Sequence, residues 1–150
     1  MYGNLSSPFA PRNQRASMYT KVGLETDVQG ASPHRLVALL FDGLFDAMSQ
    51  ASAAIAANNV ELKGRALTRA VRILDEGLKA GLNPAGGELS EQLRQLYIYT
   101  SMRLTQANLH SNLDAIAECQ RVLTPVREAW NSIGSHPVVR GAAQGEPVAA

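Results

Sequence analysis

The side chains able to do chemistry are few and scattered. The three histidines are His34, His110 and His136, and Cys119 is the single cysteine. A zinc site needs several such ligands converging on one point, whereas these histidines fall at a predicted helix start, a predicted helix end and the C-terminal segment. A di-iron carboxylate bundle uses Glu-x-x-His pairs, but Ala31, Ala107 and Ile133 stand three residues before the histidines. Phosphotransfer through His34 or His110 would need a reactive imidazole part-way along a helix. Both lie at helix ends and read as surface residues, His110 suiting the negative end of a helix dipole. Cys119 falls on an apolar seam with no histidine close by in sequence, so it reads as a small buried hydrophobe.

Nucleotide and nucleic-acid chemistry fare no better. Lys63-Gly64 lacks the rest of a phosphate-binding loop, and Gly86-Gly87 lacks the strand of a dinucleotide fold. Lys63, Arg65, Arg69, Arg72 and Lys79 recur along one predicted helix, but Glu61, Asp75 and Glu76 interleave with them, as on an ordinary solvated face. Fourteen basic and thirteen acidic residues leave a net charge of +1, too little to steer the chain to nucleic acid or an anionic membrane. The sequence asks for no catalytic residue, no metal and no cofactor. A lone cysteine, and no signal-peptide pattern from Met1 to Pro11, suit a reducing cytoplasm. No uninterrupted apolar run approaches the roughly 20 residues of a bilayer span, so no membrane insertion is expected.

What remains is a surface for packing. With 150 residues and 5% aromatics, abundant Ala and Leu, and little period-two alternation, the chain reads as one all-α domain. The segment 31–43, ASPHRLVALLFDG, is the most informative: Ser32 caps, Pro33 fits the first helical turn, and Leu36 to Phe41 enter a core. Gly43, inside the helix, signals a close approach to the backbone. The first helix is predicted from Pro33 to Ala57, with Val37, Phe41, Leu44, Met48, Ala51 and Ile55 as its seam. Asn58 and Asn59 break it, Asn59 capping a second helix that ends near Leu82 and carries Leu67, Val71, Leu74, Leu78 and Leu82. Asn83, Pro84, Gly86 and Gly87 form a turn before a third helix marked by Leu89, Leu93, Leu96, Thr100, Leu104 and Ala107. Ser111 and Asn112, with Asp114 placed for a capping box, open a fourth, whose seam is Ile116, Cys119, Leu123, Val126, Trp130 and Ile133. Pro125 is expected to bend this helix, and Gly134 with Pro137 to stop it.

Short connections imply an antiparallel up-down-up-down four-helix bundle over residues 31–134. Residues 1–30 read as a flexible N-terminal strap, in which Gln14 to Leu24 allows a short helix presenting Met18, Tyr19 and Val22. Residues 135–150 read as a disordered tail. A second strip of small and apolar residues runs along helix one (Leu36, Leu40, Gly43, Ala47, Ala54) and helix two (Ala66, Ala70, Ile73, Gly77). It either widens the core or forms a groove for a partner helix, and periodicity leaves both open. Tyr97 and Tyr99, two apart, cannot share a helix face.

Several segments together resemble the flagellin-specific export chaperones of the FliS family. They are Met18-Tyr19 through Glu25, residues 31–43, KGRALTRAVRILDEGLKAGLN at 63–83, GGELSEQLRQLYIY at 86–99, RLTQANL at 103–109 and EAWNSI at 128–133. The resemblance implies a four-helix bundle whose grooves receive the disordered C-terminal segment of flagellin, prevent premature polymerisation and present it to a flagellar export gate component. It also implies that the segment around Tyr19 and Val22 covers part of the groove until the client displaces it. Resemblance and helix faces together nominate Tyr19, Val22, Leu36, Leu40, Gly43, Ala47, Ala66, Ile73, Tyr97 and Asn108 as partner-binding residues. The chain departs from the family pattern in a longer N-terminus before Tyr19, in Ile98 where an acidic residue often separates the two tyrosines, and in Pro125, which is expected to reshape the groove near Trp130. Two alternatives stand beside this reading: a self-associating scaffold, its groove the interface of a weak homodimer, and histidine phosphotransfer. Asp42 is left to pair either with a bundle residue such as Arg69 or with the client.

Overall fold

The computed structural model describes residues 32–134. The strap with Tyr19 and Val22, and the C-terminal tail, lie outside them. Helix α1 spans Pro33–Ala56, begun by Ser32, whose side chain accepts from the Arg35 N–H at 3.1 Å. Asn58 turns the chain with a positive φ of 57°, a region that asparagine tolerates better than most residues. Asn59 then caps α2 (Val60–Arg72) by accepting from the Leu62 N–H at 3.1 Å. The expected uninterrupted α-helix to Leu82 is corrected: Ile73–Lys79 continues α2 as a π-helical turn. Gly77, inside it, lies against α1, where an added Cβ would come within 2.9 Å of Leu40 Cδ2. The close approach between these helices is thus visible at Gly77.

A short 3-10 turn, Pro84–Gly86, leads into α3 (Gly87–His110), with Asn83 accepting from the Ala85 N–H at 2.9 Å. Helix α4 runs Leu113–Gly134. Its cap is Asn112, which accepts from the Ala115 N–H at 3.2 Å, while Ser111 takes the left-handed conformation that ends α3. Asp114 therefore stands one position too early for a capping box. The helix continues through Pro125. Pro125 and Arg121 are both exposed, so water can satisfy the Arg121 carbonyl that the proline leaves without an N–H.

Each helix packs on its chain neighbours and α4 closes on α1, giving the antiparallel up-down-up-down bundle. Its core is built from Leu40, Phe41, Leu44 and Met48 of α1, Leu67 of α2, Ile73 and Leu74 of the π turn, Leu104 of α3, and Ile116 and Leu123 of α4, all almost fully buried. Leu89 and Ile133, expected on the seams, are exposed. Both stand in terminal turns at the end of the bundle where α1 begins, past the cover of neighbouring helices. By length and composition α1, with a mean hydropathy of 1.2 over its most apolar window, could cross a membrane, although its apolar residues form no unbroken run of that length. Half of that window is buried inside the bundle, where α1 serves as a core helix.

The α1–α4 edge is fastened by polar groups. The His34 and Trp130 rings stack at 4.9 Å and 8°. Trp130 Nε1 donates to the His34 carbonyl at 3.1 Å, and His34 Nε2 donates to the Trp130 carbonyl at 2.7 Å. His34 is therefore a half-buried structural residue, not the free surface imidazole expected from its place at a helix start. Asp42 pairs with Arg127 of α4 at 2.6 Å, and the same guanidinium lies 4.7 Å from the Phe45 ring centroid. Arg69 instead donates to the Gly43 carbonyl at 3.3 Å.

Core truncation separates these environments. Leu44→Ala is expected to lower unfolding stability by about 3 kcal/mol through the cavity it leaves, and Leu89→Ala by no more than about 0.5 kcal/mol, as read from urea unfolding midpoints.

Candidate functional site

The strip on α1 and α2 lies inside the bundle. Leu36, Leu40, Gly43, Ala47, Ala66 and Ile73 are all buried, and Leu40 fills the space over Gly77. These residues are reachable from outside only where their cover moves. Tyr97 joins them in the core, and Asn108 is half-buried on α3.

The two tyrosines meet different fates. Tyr97 is 4% exposed, and burial pushes its phenol well above the ordinary range. Tyr99 points outward and donates to Glu118 of α4 at 2.5 Å. Glu118 also accepts from Arg103 Nε at 2.7 Å, and Arg103 Nη1 donates to Gln106 at 2.6 Å. The Tyr99 hydroxyl first, and Arg103 second, hold the Glu118 carboxyl below its usual range. This cluster fixes the outer edge between α3 and α4. Beneath it, burial pushes the Cys119 thiol up to about 12, so it stays protonated and unreactive, its Sγ donating to the Thr100 carbonyl at 3.6 Å.

The open surface lies elsewhere, and periodicity along the seam did not single it out. Ile98, Met102 and Leu109 are 38%, 49% and 73% exposed. They stand four and seven residues apart with exposed Thr105 between, a spacing that lines them along one helix face opposite buried Tyr97, Thr100 and Leu104. At the far end, Lys63 Nζ donates to Ser111 Oγ at 2.8 Å, bringing the start of α2 to the α3–α4 turn. Exposed Val60 and Leu113 flank that contact. The outer faces of α1 and α2 carry Arg35, Asp46, Gln50, Glu61, Arg65 and Thr68 instead, all exposed. From Ile98 onward α3 thus carries apolar residues on both its core side and its outer side, while Glu91, Arg94 and Gln95 make its earlier outer turns polar. Among the described residues no group of three or more His, Cys, Asp or Glu could hold a metal ion. The arrangement suits recognition of an apolar helix face, with a ready polar edge at Tyr99, Arg103 and Glu118.

Because the Glu118 carboxyl is held below its ordinary value of 4.5, its contribution to stability is present above that value and lost as pH falls through the folded one. Wild-type protein should lose more stability between about pH 5 and pH 3 than Glu118→Gln, which has no carboxylate to protonate there. Thermal melts of the two across that range check this.

The comparisons with known proteins agree with this geometry. Residues 15–137 match the family model described as flagellar protein FliS. The chain is 43% identical over 116 residues to the flagellar secretion chaperone FliS of Salmonella typhimurium, covering 77% of this chain and 86% of that protein. It is 34% identical to the flagellar secretion chaperone FliSB of Pseudomonas aeruginosa, covering 77% and 91%, and 32% identical to the FliS chaperone of Bacillus subtilis, covering 71% and 78%. A family model matched over most of the chain, and relatives more than 30% identical over about three quarters of it, show that the chain belongs to the FliS family of flagellar secretion chaperones.

Proposed function

We propose that this protein binds the disordered C-terminal segment of flagellin in the cytoplasm, keeps it from polymerising and delivers it to a component of the flagellar type III export gate. The observation that carries this reading is the outer face of α3, where Ile98, Met102 and Leu109 stand exposed in a helical line. A disordered amphipathic segment that folds against such a line hides the apolar side chains it would otherwise use in filament contacts. The polar groups at Tyr99, Arg103 and Glu118 give its edge direction and register. The buried strip of Leu36, Leu40, Gly43, Ala47, Ala66 and Ile73, together with Tyr97 and Asn108, supplies a second surface when uncovered, and Tyr19 and Val22 of the strap are its proposed cover. No chemical step is involved, so neither ATP nor a cofactor is required.

Calorimetry of the full chain with a flagellin C-terminal peptide tests the proposal. Binding should show a negative heat-capacity change from apolar burial and favourable enthalpy from ordering the peptide. Met102→Asp should weaken it about tenfold or more, since it loses a buried thioether and places a charge in the contact. Absence of binding at tens of micromolar would overturn the reading. A chain that light scattering shows as a stable dimer even at saturating peptide would favour the self-associating scaffold instead.

A further inference from the structure

We infer that the π-helical turn Ile73–Lys79 is a register switch that covers or releases the strip around Leu40; this rests on the reading that the strip meets the client. A π-helix is rare, and where it interrupts an α-helix it often marks a functional position. Here it has no proline to cause it and no side-chain cap at its start. It holds Gly77, which sits beneath the end of the Leu40 side chain: Leu40 Cδ2 and Cδ1 lie 2.9 and 3.3 Å from where a Cβ would stand, so a side chain there would displace Leu40. Ile73 and Gly77 both belong to the strip, and both lie in the turn.

The two registers differ in a simple way. Exchanging i→i+5 backbone bonds for i→i+4 bonds tightens the helix and turns everything C-terminal to it by about one residue, roughly 100°. That rotation carries Gly77 away from Leu40 and leaves the Leu40 side chain without its seat. The outer ion pairs do not resist it. Arg72–Glu76 and Asp75–Lys79, at 3.4 and 3.7 Å, are spaced four apart, which keeps partners on neighbouring positions in either helix. What holds the π register is the burial of Ile73, Leu74 and Leu78 with Leu40 seated over Gly77. Beyond the turn Gly81 bonds back to Gly77 and Leu82 to Lys79, and Leu82 packs against the core before the Asn83 turn. The proposed switch has a second arrangement that gives up the seat of Leu40 over Gly77, and a helix that takes up Leu36 and Leu40 biases the element towards it.

Amide hydrogen exchange of the full chain, alone and with the flagellin C-terminal peptide, tests this. The amides of residues 73–79 should exchange at least about tenfold faster than those of 63–72, and the peptide should slow them. Deleting Glu76 removes the extra residue of the π turn and should lock the α register, slowing exchange over 73–79 to the level of α2 and tightening peptide binding several-fold. Gly77→Ala keeps the chain length, pushes Leu40 off its seat, and should act in the same direction if the deletion variant does not fold. Exchange over 73–79 as slow as in α2 would overturn the switch, as would folded variants that bind the peptide no better than wild type. If wild type binds no peptide, the flagellin reading fails while exchange alone judges the switch: fast exchange that Gly77→Ala slows sustains it, and uniform exchange ends it.

Discussion

The bundle depends on α1 being buried from two sides by different means. Towards α2 and its π turn the contact is made by small and aliphatic groups, with Leu40 seated over Gly77 and Ala47, Ala66 and Ala70 among the fully or nearly fully buried residues. Small side chains let backbones come close, and Arg69 of α2 adds a polar contact by donating to the Gly43 carbonyl of α1 at 3.3 Å. Towards α4 the contact is directional: His34 and Trp130 each donate to the other's carbonyl, and Arg127 ties Asp42 while covering Phe45. Helix α1 is held by directional polar groups on one flank and mainly by close apolar packing on the other. The other helices are placed by short, capped turns around it.

Much of this was legible because caps and breakers are local. Ser32, Asn59 and the Asn83–Gly87 turn name the helix boundaries within a residue or two, since each side chain satisfies an N–H only a few positions away. The seams of α1 and α4 were readable for the same reason: a 3.6-residue period repeats over many turns. The features that escaped are those that local spacing does not encode. The π turn uses the same residues as an α-helix would, and its burial is made by residues remote in sequence, such as Leu40 over Gly77. The partner of Asp42 is 85 residues away. His34 looked like a surface residue because Trp130, 96 residues on, gives no sign of itself beside a helix start. The end residues Leu89 and Ile133 matched the period but not the cover, which periodicity does not see.

The candidate site shows the same division. The strip on α1 and α2 was recognised as an apolar surplus, and its two readings, core or groove, differ only in what covers it. The outer face of α3 was present in the sequence as Ile98, Met102 and Leu109, yet the stronger seam through Leu104 and Ala107 on the opposite side masked it. Ile98, set between two tyrosines that face opposite ways, begins the exposed apolar line one helical turn before Met102.

The most direct test of this account is a methyl-resolved NMR titration of the full chain, labelled at Ile, Leu and Met, with a flagellin C-terminal peptide. The account predicts shift changes and intermolecular contacts at the methyls of Ile98, Met102 and Leu109. A peptide that binds while those methyls stay unperturbed would contradict it, as would a peptide that does not bind at all.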